Sequence, residues 1–294
     1  MPQRGARAAE SYTRQMRLAG VLAGVLAVLT AGALAASSAP AAPQAYYLAL
    51  GDSMAYGFQP AKARKGLPPS RFNTGYVDVF ASRLRVLAPG IHVVNYGCPG
   101  ESLVTFGEGG CPAVAEGIGL HDTFSGAQLG AALVFLRAHP GQVSPITITL
   151  WGNDIAGFEE RCHNKLRCIR KRAPHALASL GSRLRSIIAQ LRAAAPGAEI
   201  IATGAWNFEV NRLARVAFLY RALDKRIKRA SRRAGAGVAD TRPIFNPRGS
   251  IAAKRARICA LTFMCSQGDP HPKDAGYRAM AKAFLAASGY APKP

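Results

Sequence analysis

Residues Tyr46 to Gly57 read YYLALGDSMAYG. The unbroken apolar run Tyr46–Leu50, stopped by Gly-Asp-Ser, has the character of a strand buried on both faces, as in parallel sheets covered by helices. The same pattern recurs downstream. Ile91–Asn95, Ile146–Trp151, Glu199–Thr203 and Gly237–Asp240 are further strand candidates. Between them, Tyr76–Val86, Ala127–Arg137, His175–Ala194, Val210–Ala234 and Asp274–Ala287 carry apolar residues at helical spacing. Strand and helix alternating in this way predicts one α/β domain with a parallel sheet, over about residues 46–290. The chain has 294 residues, 49% of them hydrophobic, which is enough to bury a full core.

The first 45 residues are set apart from that domain. Arg4, Arg7, Arg14 and Arg17 precede an uncharged run from Leu18 to Ala36, with small residues at Ala33 and Ala35. A basic start, an apolar run and a small-residue site predict a secretory signal over residues 1–36. The run also approaches the length of a bilayer span, so an uncleaved anchor over 18–36 is the alternative. Residues 37–45, SSAPAAPQA, read as a linker. Either reading exports the domain.

Export fits the cysteines. Cys98, Cys111, Cys162, Cys168, Cys259 and Cys265 form three pairs of near neighbours along the chain, and an even number in an oxidising compartment points to disulfides. Each pair brackets a short loop, which predicts the bridges 98–111, 162–168 and 259–265. No pair has the C-x2-C spacing of a zinc site, and no metal is expected.

The formal net charge is +22, and removing residues 1–35 takes away four Arg and one Glu and leaves +19. Much of this charge sits in Arg161–Arg172 and in Arg212–Arg233. In the second stretch Leu213, Val216, Leu219, Leu223, Ile227 and Ala230 keep helical spacing, so the charges form the solvated face of a packed helix. The function such a face offers is attraction to anionic lipid or to cell-envelope polymers. No nucleic-acid motif accompanies the charge, and nucleic acid is not an expected partner.

Ligands of open α/β sheets bind beyond the carboxyl ends of the strands, which is where Ser53 stands. A serine there is also a common helix cap, so the other blocks matter. After the second strand comes NYGCPGES (95–102), after the third LWGNDIAGF (150–158), and near the end GDPHPKDAGY (268–277). Together they supply what a serine nucleophile needs: a base, a partner to orient it, and donors where negative charge develops.

This ordered set resembles the GDSL, or SGNH, hydrolase family of serine esterases and lipases, over nearly the whole exported domain. The resemblance implies a three-layer α/β/α sandwich with a flavodoxin-like sheet. It also implies Ser53 as nucleophile, His271 as general base, and an oxyanion hole made by the N–H groups of Ser53 and Gly100 and the side-chain amide of Asn153. The rival α/β-hydrolase elbow, G-x-S-x-G, fails because Ala55 stands where its second glycine would be. Three departures from the family pattern stand out. Met54 replaces the leucine of GDSL. Trp151 occupies a position usually held by glycine, altering the local backbone or adding an aromatic wall to the pocket. Gly268 stands three residues before His271, where the family has its acid, and the nearest acid is Asp269, two before. Asp269 is therefore the expected orienting group, with a backbone carbonyl near Gly268 as the alternative.

The expected function is hydrolysis of carboxylic esters of short to medium acyl length, with no cofactor and as a monomer. The alternatives are deacetylation of an extracellular polysaccharide, or a silent basic binding module on the cell envelope.

Overall fold

Five strands form a single sheet in the computed structural model, which describes residues 44–291. They are β1 Tyr46–Gly51, β2 His92–Asn95, β3 Val143–Thr149, β4 Ile200–Thr203 and β5 Gly237–Ala239. Every neighbouring pair is parallel, in the order β2-β1-β3-β4-β5. The signal, anchor and linker readings fall, but for Gln44 and Ala45, outside the described residues.

The main helices are α1 Ser53–Tyr56, α2 Tyr76–Leu87, α3 Leu103–Glu108, α4 Gln128–Ala138, α5 Gly152–Arg161, α6 Leu166–Ala194, α7 Leu213–Arg233, α8 Ile251–Leu261 and α9 Asp274–Ala287. α2 and α9 pack together on one face of the sheet, where Tyr76 stacks on Phe284 with ring centroids 4.4 Å apart. α4, α6 and α7 lie side by side on the other. β1 is therefore covered twice, and Tyr47 through Leu50 are fully buried. The hydroxyls this brings into the core satisfy one another: Thr147 Oγ1 meets Tyr47 Oη at 2.8 Å and Tyr76 Oη at 3.2 Å. In α7 the six apolar residues named above are all buried, each burial worth about 1.5–3 kcal/mol for the larger side chains. Most of its Arg and Lys side chains face solvent.

Of the boundaries that differ from the sequence reading, two have a clear physical cause. β3 starts at Val143, not Ile146, because it carries one extra residue against β1: Tyr46 pairs with Val143 but Leu48 with Ile146. Pro145, which has no N–H for a ladder, sits in that irregularity. α6 starts at Leu166, nine residues before His175, and runs through Pro174. Burial of Ile169, Ala173 and Leu177 on the sheet side outweighs the backbone bond that proline forfeits on the exposed side.

The order places β1 between β2 and β3, so the chain crosses sides of β1 at the carboxyl ends of these strands. Ser53 follows β1, Gly100 follows β2 and Asn153 follows β3.

Candidate active site

At the end of β1 the backbone turns sharply at Gly51, with φ +126°. A Cβ there would stand 2.1 Å from the Thr149 carbonyl oxygen of β3, so only glycine lets the two strand ends lie this close. Asp52 then caps α1: its carboxylate accepts the Met54 N–H at 2.9 Å. Ser53 is the first helical residue, 7% exposed.

The histidine segment is held by the end of α8. Cys259 and Cys265 are bridged, with Cα atoms 5.1 Å apart. Phe263 N–H donates to the His271 carbonyl at 3.0 Å, and Thr262 bridges Pro272. α9 begins three residues after His271. Thus pinned, His271 places Nε2 at 2.8 Å from Ser53 Oγ and Nδ1 at 2.7 Å from Asp269 Oδ1. The same Asp269 oxygen accepts the His271 backbone N–H at 2.8 Å. This side-chain-to-backbone turn lets an acid two residues away reach the ring. Among the hydrogen bonds of the described residues, the ring nitrogens meet Asp269 and Ser53 and no backbone carbonyl. Burial would raise the Asp269 carboxyl, but bonding and charge from His271, with Arg64 nearby, hold it below its usual value. It is an anion at neutral pH. Phe58 lies against the imidazole with centroids 4.6 Å apart, and its carbonyl is fixed by Tyr277 Oη at 2.8 Å.

Gly100 has φ +84°, the left-handed region, and is exposed between buried Pro99 and Glu101. The Cys98–Cys111 bridge, Cα atoms 5.8 Å apart, ties down this turn. Asn153, in the first turn of α5, donates through Nδ2 to the Glu101 carbonyl at 2.8 Å. An amide carries two N–H donors, so the second is left to give. Next to it, Asp154 accepts the Leu103 N–H at 3.1 Å. The turns after β2 and β3 are thus stitched together at two points. Cys162 and Cys168, Cα atoms 5.5 Å apart, close the turn between α5 and α6. Trp151 is not a pocket wall: it is 3% exposed and packs edge-on against Trp206 at 4.9 Å in the core.

Two supporting side chains escaped the sequence reading. Gln128, at the start of α4, accepts the Gly51 N–H at 2.6 Å and donates to the Gly51 carbonyl at 3.0 Å. Both bonds leave the same amide. It also shares the buried carboxylate of Glu101, at 3.0 Å. No motif flags a glutamine opening a helix 77 residues from its partner.

Burial pushes the Glu101 carboxyl up to about 7, against the bond from Gln128. A carboxyl raised in the fold holds more protons there than in the unfolded chain, so its contribution falls as pH rises from about 4.5 through about 7. Glu101→Gln cannot ionise and keeps an oxygen for Gln128. Relative to wild type it is expected to gain about 2–3 kcal/mol between pH 4.5 and pH 8 in urea unfolding. An offset that is constant with pH would refute this.

Residues 49–279 match the family model described as GDSL-like Lipase/Acylhydrolase family. Among solved structures the chain is similar to LAE5, an alpha/beta hydrolase from the metagenome of Lake Arreo, Spain, with TM-score 0.55 and 19% identity over 86% of this chain and 99% of that one. It is similar also to Axe2, an acetylxylan esterase from Geobacillus stearothermophilus, with TM-score 0.52 and 20% identity over 83% and 94%. A third is phospholipase A1 from Streptomyces albidoflavus NA297, with TM-score 0.56 and 18% identity over 83% and 100%. At such identities the likeness speaks for the fold. No curated protein matches the chain significantly. Because the family match runs from within β1 to within α9, taking in all three layers of the sandwich, the chain belongs to the GDSL-like lipase/acylhydrolase family and is a carboxylic ester hydrolase.

Proposed function

We propose that the protein hydrolyses carboxylic esters of short to medium acyl length through Ser53, His271 and Asp269, outside the cytoplasm. The observation that carries this is the unbroken relay from Ser53 Oγ to His271 Nε2 at 2.8 Å and from His271 Nδ1 to Asp269 at 2.7 Å. Neutral His271 takes the Ser53 proton as Oγ attacks the ester carbonyl. The negative oxygen of the tetrahedral intermediate receives hydrogen bonds from Ser53 N–H, Gly100 N–H and the Asn153 amide. His271 then gives its proton to the departing alcohol, and water repeats the sequence on the acyl-enzyme. Asp269, an anion throughout, holds the imidazole by its Nδ1–H and stabilises the imidazolium. Three bridged cysteine pairs support an oxidising compartment. Among the described residues no helix is long and apolar enough to cross a membrane.

A chromogenic ester series from C2 to C16 tests the acyl range, with activity expected to peak at or below C8. Activity confined to acetylated xylan and absent on simple esters would replace this reading by the polysaccharide deacetylase. Asn153→Ala is expected to lower kcat by about 10²–10³-fold. A loss under tenfold in a folded variant would remove Asn153 from the oxyanion site.

A further inference from the structure

Between α3, α5 and α6 the surface holds a groove of about 520 Å³, within the size range of small-molecule sites. Its floor is apolar and buried, made by Ile155, Phe158 and Leu180. Its rim is basic. Arg161, Lys171 and Arg172 line it, are exposed, and form no ion pair among the described residues. Arg183, also in the lining, is already bound to Glu108 at 2.7 Å. The carboxylate in the lining is Asp154, which accepts the Leu103 N–H and lies within the field of Arg183 and Arg161. Ser53, Gly100, Asn153 and His271 do not line the groove, so it shares with the reaction centre only the Asn153–Asp154 corner of α5.

We infer that this groove binds a single-chain anionic amphiphile, a medium-chain carboxylate, one molecule at a time. Charge and shape choose the occupant together. Four cations, Arg161, Lys171, Arg172 and Arg183, against the single lining carboxylate Asp154 leave the rim net positive and favour an anion, while an apolar floor gains nothing from a small ion but gains with each methylene it covers, by up to about fourfold in affinity. A cationic or bulky polar ligand meets one of these features unfavourably. The binding does not rest on the function proposed above.

Calorimetric titration of the purified protein with dodecanoate, below its micelle concentration and at low salt, tests the site without reading turnover. Dodecanoate is expected to bind at least tenfold more tightly than octanoate, acetate or dodecyltrimethylammonium. Lys171→Glu with Arg172→Glu, both at exposed positions, is expected to weaken it at least tenfold. Val104→Glu, at a lip position 44% exposed, should do the same. Ser53→Ala should keep the wild-type affinity. The inference is overturned if dodecanoate fails to bind at millimolar concentration, if the cationic amphiphile binds as well, or if the charge-reversed variant keeps its affinity. Loss of affinity in Ser53→Ala would also overturn it, by placing the ligand at the reaction centre.

Discussion

Ser53→Ala is expected to lower ester hydrolysis by about 10⁴–10⁶-fold while leaving the fold intact. The hydroxyl removed sits at the first position of a short helix whose cap, Asp52, is untouched, and alanine suits that position. Its side-chain partner is His271, which solvent at the crevice can still satisfy. Stability should therefore change little, and the loss should fall on kcat. A residue of catalysis is expected to persist, because Gly100, Asn153 and the Ser53 N–H remain to bind a developing oxyanion. A fluorophosphonate probe should label the wild type and not the variant. If the alanine variant kept even a tenth of the activity, Ser53 would not be the attacking group and the whole relay would need another purpose.

The parts of this site that were legible in the sequence are those whose residue type is dictated by local backbone or by the reaction itself. Apolar runs ending on Gly51, on Asn95 and near Trp151 mark strand ends because a doubly covered strand must be apolar and must then turn. Gly100 needs a left-handed φ and Gly51 a contact that no Cβ allows, so both are written in the chain as glycine. Side chains that act across long separations leave no such trace. Gln128 is chosen by two open backbone groups of Gly51, and Glu101 by Gln128, and neither choice imposes a period or a turn on its neighbours. Trp151 misleads for a similar reason. Its position in the block suggests a pocket wall, but tertiary packing on Trp206 turns it into the core. The helix α6 extends through Pro174 because a buried face outweighs a local preference that a sequence reading must respect.

Asp269→Ala is expected to lower kcat by about 10⁴-fold, and the size of the loss in Asp269→Asn then separates two jobs of this carboxylate. One oxygen, Oδ1, accepts both the His271 backbone N–H and the ring Nδ1–H. An asparagine can make the same turn, because its amide oxygen accepts hydrogen bonds as well. The backbone N–H demands an acceptor at that point and so keeps the oxygen, rather than the amide nitrogen, turned toward the ring. The Nδ1–H tautomer is then preserved, and what asparagine removes is the negative charge. With the delocalised charges of carboxylate and imidazolium centred about 4 Å apart and an effective dielectric near 20, that charge stabilises an imidazolium by about 4 kcal/mol, so Asp269→Asn is expected to lose about 10²–10³-fold. Alanine removes the charge and the orientation together. If asparagine proves as damaging as alanine, the amide has flipped and the ring is held in the wrong tautomer. If alanine costs less than tenfold in a protein of unchanged urea stability, Asp269 only braces the turn, and Ser53 and His271 work as a pair.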